Sequence, residues 1–204
     1  IRFVVTQLSR PPARAIRTMR MSAGRAMLLC SILDNPRELA AMTVRSMSLW
    51  DILPTARILS DAFDGGTVKQ AMGLQERMSS AVQLVHEENG ALDGYAEYWT
   101  AAYLEGREIR GWKHGPPDAY VSSLTVAKAS RRRGAATALM RAMEQRAQRE
   151  GHRHISLQVE ETNEAALALY ASLNYSVIGR DGANVYRGVR FEPRFALRKE
   201  LPSL

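Results

Sequence analysis

The chain has 204 residues, 46% of them hydrophobic and 24% charged, a globular balance that excludes a disordered polymer. Its single cysteine, Cys30, excludes an intramolecular disulfide framework and a cysteine-cluster zinc site. No run approaches about 20 uninterrupted apolar residues, so no membrane-spanning helix is expected.

The net charge of +7 is unevenly placed. Residues 1–42 hold seven arginines against Asp34 and Glu38, a net of +5, which leaves +2 for residues 43–204. That second part is near balance, so bulk attraction to nucleic acid is not expected. The leader has no acid before Asp34, and Ser, Ala and Pro separate its arginines. This pattern fits an organellar transit peptide, for a chloroplast or a mitochondrion. A plain basic arm on a cytoplasmic protein is the alternative. The expected division is a leader over 1–42 and one folded domain over 43–204.

Readable structure begins at Thr43, where Thr43-Val44-Arg45-Ser46-Met47 alternates as a strand does. Asp51 can cap a helix with Pro54 in its first turn, and Ile52, Ala56, Leu59 and Phe63 fall on one stripe. Asp64-Gly65-Gly66 stops it, and a second helix runs over about 68–79. Val82, Leu84 and His86 alternate up to an Asn89-Gly90 turn, from which a strand rich in aromatic residues returns over 92–102. Glycines and prolines mark 104–117 as a loop. Then come a strand (119–126), a basic turn (128–133), a helix (134–150) stopped by Gly151, a strand (154–160), a helix (163–173) and closing strands over 175–179 and 194–201. This order implies an α/β or α+β layered domain with a central parallel pair.

The turn Arg131-Arg132-Arg133-Gly134-Ala135-Ala136-Thr137 joins a strand to a helix. A glycine turn that opens a helix leaves N–H groups unpaired at its positive dipole end, which makes an anion site. Gly134 and the small Ala136 let a diphosphate approach the backbone, and the arginines add charge. The dinucleotide fingerprint and the P-loop both require glycines or a Gly-Lys pair that are missing here. Further on, Asn163, Ala166 and Tyr170 are spaced to share one helix face. His86, His114, His152 and His154 show no metal-ligand spacing, so no metal site is expected.

Together these residues resemble the GNAT superfamily of N-acetyltransferases. Arg131, Gly134 and Ala136 after Leu124-Thr125-Val126 are similar to its Arg/Gln-x-x-Gly-x-Gly/Ala signature. The run from Asn163 through Ala166 to Tyr170, then Asn174-Tyr175, is similar to its Asn-x-x-Ala-x-x-x-Tyr helix and closing Gly-Phe. Asn174 stands where the family has glycine, and asparagine tolerates a left-handed backbone. The resemblance covers about residues 43–201. It implies a mixed, mostly antiparallel sheet with a splayed parallel pair, flanked by about four helices.

It also implies acetyl-CoA as cosubstrate. The pantetheine arm would pair with the main chains of Leu124 and Val126, with the Val126 N–H on the thioester carbonyl. Arg131 to Thr137 would hold the diphosphate, and Asn163 and Ala166 would line the arm. The amine would attack directly without an acyl-enzyme, and Tyr170 would protonate the leaving thiolate. The family's protein N-terminal branch carries a glutamate base where this chain has Gln158, so Glu160 and Glu97 are the candidate bases, with a water chain as a third route. The acceptor side would be formed by the first two helices and by 181–193, including Tyr186. The expected acceptor is a protein N-terminus or lysine, with loose likeness to the plastid branch. A small-molecule amine, or a non-catalytic CoA-binding scaffold, is the alternative.

Overall fold

A computed structural model describes residues 43–63, 66–105, 109, 112–115, 117–186 and 189–203. The leader, with Cys30 and any targeting signal, lies outside the described residues, as do Asp64 and Gly65 and part of the expected 104–117 loop.

Seven strands form one sheet in the order β1-β2-β3-β4-β5-β9-β6. They are β1 (Thr43–Ser46), β2 (Ala81–Glu88), β3 (Ala91–Thr100), β4 (Ala119–Val126), β5 (His154–Glu160), β6 (Ser176–Asp181) and β9 (Arg194–Glu200). Every neighbouring pair is antiparallel except β4 and β5. A small hairpin of β7 (Asn184–Tyr186) and β8 (Val189–Phe191), absent from the sequence reading, forms a separate two-stranded sheet. The helices are α1 (Ile52–Ser60), α2 (Gly66–Arg77), the single turn α3 (Ala101–Leu104), α4 (Ala135–Arg149) and α5 (Glu164–Ser172), five among the described residues against about four expected.

The sheet is covered on both faces, and the strand pleat shows it directly. Leu84 and Ala96 join a core with Leu139, Met140 and Met143 of α4. Their chain neighbours Val85 and Tyr95 join another with Ala56 and Leu59 of α1 and Leu74 of α2. A third, smaller cluster gathers Leu104, Ile109 and Tyr120 under Trp99 and Trp112. The hairpin turn is as expected: Asn89 and Gly90 both have positive φ, at 53° and 78°. Asn174 likewise takes the left-handed region, at φ 64°.

Two details of α1 differ from the sequence reading. Phe63 lies beyond the helix end and is exposed, so the buried stripe ends at Leu59. Asp51 occupies the N-cap position, but its backbone is already helical and its side chain does not cap α1. The carboxylate turns back instead. It accepts from Arg45 Nη1 at 2.6 Å, Arg45 Nη2 at 2.9 Å, and the Ser48 N–H and Oγ at 2.7 Å each. Arg45 also reaches Glu87 on β2, so one buried carboxylate ties β1, β2 and the start of α1.

The hydrogen bonds from Arg45, joined by those from Ser48, hold the Asp51 carboxyl well below the usual carboxylate range. A depressed folded-state pKa contributes stability above the unfolded value of about 4, and loses it as pH falls through the folded value. Asp51→Asn should therefore cost about 1–2 kcal/mol at pH 7, discounted because Arg45 is over a third exposed. The gap between denaturant melts of variant and wild type should begin to narrow below about pH 4 and go on narrowing as pH falls further. A gap that stays constant from pH 7 to pH 2 would show that the ion pair contributes nothing.

Candidate active site

The parallel pair is short. Ala119, Tyr120 and Val121 pair with Ile155, Ser156 and Leu157, and there the register ends, although β4 runs on to Val126 and β5 to Glu160. The two strands part at that point. On its other edge β4 stays paired with β3, Leu124 opposite Ala96 and Val126 opposite Gly94. Amide directions alternate along a strand. The Ala127 N–H donates to Asp93 O on the β3 side, so Leu124 and Val126 turn their main-chain groups toward the gap. Consistent with this, the Val126 carbonyl receives Arg131 Nε at 3.2 Å from outside the sheet.

The gap leads to the start of α4. Gly134 is its N-cap at φ +93°, and no side chain caps the helix. The first bond back to the cap comes from Ala138 N, so the N–H groups of Ala135, Ala136 and Thr137 have no intrahelical partner. A Cβ placed on Gly134 would meet nothing within 4 Å. Arg132 is also left-handed, at φ 65°. The arginines divide their roles. Arg131 closes the turn onto Val126, Arg133 donates to Glu88 Oε1 at 2.6 Å, and Arg132 has no protein partner among the described residues. Two of the three cations expected on phosphate thus also hold the turn itself.

Asn163 caps α5 rather than lying inside it, its Oδ1 accepting from the Ala166 N–H at 3.2 Å. The side chain keeps its Nδ2 donors and one Oδ1 lone pair for a ligand. Ala166 is half-buried one turn on, and Tyr170 is buried at 7% exposure with its ring 5.7 Å from that of Tyr175. Burial pushes the Tyr170 phenol well above its ordinary value, and Tyr120 adds to the push through space. The Tyr170 hydroxyl has no hydrogen-bond partner among the described residues.

The two base candidates have opposite surroundings. Glu160 ends β5, exposed, and makes no side-chain bond among the described residues. Glu97 is 1% exposed and takes five donors: Arg77 Nε, Gln83 Nε2, Tyr95 Oη, Trp99 Nε1 and Ser122 Oγ, at 2.6 to 2.9 Å for the shortest bond of each. Burial alone would raise its pKa, but Arg77 and the other donors hold it below the usual range. A carboxylate with its lone pairs so fully occupied has little capacity to take a proton.

Sequence reasoning missed a second polar chain. Tyr120 Oη donates to Gln158 Oε1 at 3.0 Å, and Gln158 Nε2 donates to Asp181 Oδ2 at 2.6 Å. Asp181 Oδ1 lies 3.0 Å from His114 Nε2. The His114 ring lies so close over Gly179 that a Cβ there would sit 2.1 Å from the ring. Trp112 stands edge-on to both His114 and Tyr120, and Trp99 packs on Tyr120 and Tyr103. Gln158, read from sequence as a base position without a base, is a link between strands. Among the described residues no three His, Cys, Asp or Glu side chains group to hold a metal. No described helix is long and apolar enough to cross a membrane.

Residues 53–175 match the acetyltransferase (GNAT) family. The chain belongs to the GNAT acetyltransferase family. Solved structures of the same fold include three with TM-scores near 0.6. The Salmonella typhimurium protein yncA, determined with its cofactor acetyl-CoA, is 22% identical over 79% of this chain and 95% of its own, at TM-score 0.61. The ribosomal-protein-alanine N-acetyltransferase of Brucella melitensis is 21% identical over 78% and 100%, at 0.62. The Escherichia coli ribosomal-protein-S18-alanine N-acetyltransferase is 19% identical over 80% and 96%, at 0.60. No curated protein matches the chain. This GNAT enzyme takes acetyl-CoA as its acyl donor, and its geometry fits that molecule. The gap leaves β4 main-chain groups for the arm, and the open Gly134 turn leaves room for the diphosphate.

Proposed function

We propose that this GNAT acetyltransferase acetylates a primary amine on a polypeptide, most readily a protein N-terminus. The observation that carries the site is the parting of β4 and β5, with β4 leading along the chain to the uncapped N-terminus of α4. When bound, acetyl-CoA supplies an acetyl group already activated as a thioester. Leu124 and Val126 bind its arm as a further strand would, and the N–H groups of Ala135, Ala136 and Thr137 hold its diphosphate, aided by Arg131, Arg132 and Arg133. Asn163 and Ala166 face the arm from α5. Tyr170 keeps its proton at Oη across the physiological range and gives it up to the departing sulfur. The amine's own proton goes to Glu160, the candidate whose carboxylate is unengaged.

Two observations support a polypeptide acceptor. The β3–β4 side of the domain carries three half-buried aromatic side chains, Trp99, Tyr103 and Trp112, around the buried Tyr120. The α1 and α2 region leaves Leu49, Trp50, Leu53, Val68 and Met72 largely exposed, an extended apolar surface suited to side chains flanking an amine. The Tyr186 side chain lies outside the described residues. Both ribosomal-protein N-acetyltransferases above act on protein alanines, as their names state.

The test is thiol release from acetyl-CoA with peptides of varied N-terminal residue, lysine peptides blocked at the N-terminus, and small amines. Free N-terminal peptides should be preferred by at least about tenfold in kcat/KM, and Glu160→Gln should lower that value by about 10²-fold at pH 7. Release with small amines alone would overturn the polypeptide assignment.

A further inference from the structure

The buried Glu97 carboxylate is explained by what it holds. β3 and β4 pair evenly except at one place, where Glu97 lies opposite Ser123 and Tyr98 opposite Val121. Ser122 is therefore an extra residue in β4, a bulge. The parallel register with β5 ends at Val121, the residue just before it. A bulge bends its strand and increases the local twist, so a bulge at Ser122 turns the rest of β4 away from β5. Nothing in the backbone fixes an unpaired extra residue. Here its side chain does so: Ser122 Oγ donates to Glu97 Oε1 at 2.6 Å and also lies 3.4 Å from the Glu97 carbonyl.

Glu97 in turn cannot move. Arg77 at the end of α2 bonds both carboxylate oxygens, and Gln83 bridges from the carboxylate to the Leu74 carbonyl in the same helix. Tyr95 and Trp99, two residues to either side on β3, close the ring.

Resting on the reading of the β4–β5 gap as the acetyl-CoA cleft, we propose that Glu97 is a positioning residue: through Ser122 it fixes the bulge that opens the cleft and aims the Leu124 and Val126 amides into it. It acts through β4 and takes no proton. The donors to Glu97 then fall into two classes. Ser122 transmits to the cleft, whereas Tyr95, which bonds the same carboxylate at the same 2.6 Å, only supports the carboxylate.

That division gives the test: Ser122→Ala, Ser122→Thr and Tyr95→Phe, each compared with wild type. Amide hydrogen exchange of the ligand-free proteins reads the strand itself. Ser122→Ala should speed exchange at residues 122–126 by about tenfold while leaving α2 unchanged, and Ser122→Thr, which keeps the hydroxyl, should restore most of the protection. Calorimetry with acetyl-CoA should show about tenfold weaker binding for Ser122→Ala and unchanged binding for Tyr95→Phe, even where Tyr95→Phe melts lower. Normal exchange at 122–126 in Ser122→Ala, or equal effects of Ser122→Ala and Tyr95→Phe on that segment, would overturn the proposal. Absence of acetyl-CoA binding by folded wild type would instead overturn the cleft reading, and the exchange comparison would still decide the role of Ser122.

Discussion

Tyr170→Phe should lower kcat by about 10²-fold while leaving acetyl-CoA affinity and thermal stability close to wild type. The separation follows from the surroundings of the hydroxyl. The Tyr170 ring packs on Tyr175 within the core shared by α4, α5 and the sheet, and phenylalanine keeps all of that packing. The hydroxyl makes no protein hydrogen bond among the described residues, so its removal leaves no orphaned partner behind and should change stability by less than about 0.5 kcal/mol. On the proposed mechanism, what is lost is the proton given to the departing thiol. A free thiol has a pKa near 8.5 and a free phenol near 10. Burial raises the phenol further, so it cannot ionise ahead of the sulfur and must transfer its proton as charge develops there. The sign of the pH dependence is fixed by the same shift. A raised pKa keeps the working, protonated form intact as pH rises, so kcat should show no fall from Tyr170 ionisation up to about pH 10. Stopped assays of wild type and Tyr170→Phe from pH 6 to pH 10 would check both points. Wild-type turnover by the variant would remove Tyr170 from the chemistry.

The parts of this site that were legible in the sequence are those built from local rules. The glycine turn opening α4 and the Asn89-Gly90 hairpin each need particular residue types at adjacent positions, and each stands where the spacing placed it. The parallel pair and the closing strands followed from the order of periodic segments. The polar clusters were not legible. Glu97 gathers side chains from 20 residues before it to 25 after it, and His114 meets Asp181 across 67 positions. No local pattern encodes such meetings; they arise when the sheet order brings β3, β5 and β6 to one surface. The bulge at Ser122 has no signal either, because Ser122-Ser123 alternates as well as any other pair. Misreadings have the same source. Phe63 continues the helical spacing of Ile52, Ala56 and Leu59, but the helix beneath it ends at Ser60. Asp51 has the residue type of a cap, but Arg45, brought near by β1, makes a stronger partner than the unpaired helix amides.

Gly134→Val should weaken acetyl-CoA binding by about 10²-fold or more, at a stability cost of only about 1–2 kcal/mol. The two effects have separate causes. At φ +93° an L-residue is strained whatever its neighbours, and that strain acts on the free protein. Steric conflict within the protein adds nothing, since a Cβ at this position meets no atom within 4 Å. On the proposed reading, the same open space is where the diphosphate sits against the N–H groups of Ala135, Ala136 and Thr137. A branched side chain fills it and holds the phosphates off the helix end, and the loss of one or two charge-assisted bonds of about 1.5–3 kcal/mol each accounts for the fall in affinity. The other end of α4 supplies the control. Gly151 is also left-handed, at φ +83°, and a Cβ there also meets nothing within 4 Å. Gly151→Val should therefore lose similar stability, lowering the melting temperature by a few degrees, without altering binding. Differential scanning calorimetry and titration calorimetry on the two variants would separate strain from site. If both bind acetyl-CoA as wild type does, the start of α4 is not where the diphosphate lies. If both lose affinity together, the loss reflects a weakened helix and not an obstructed anion cradle.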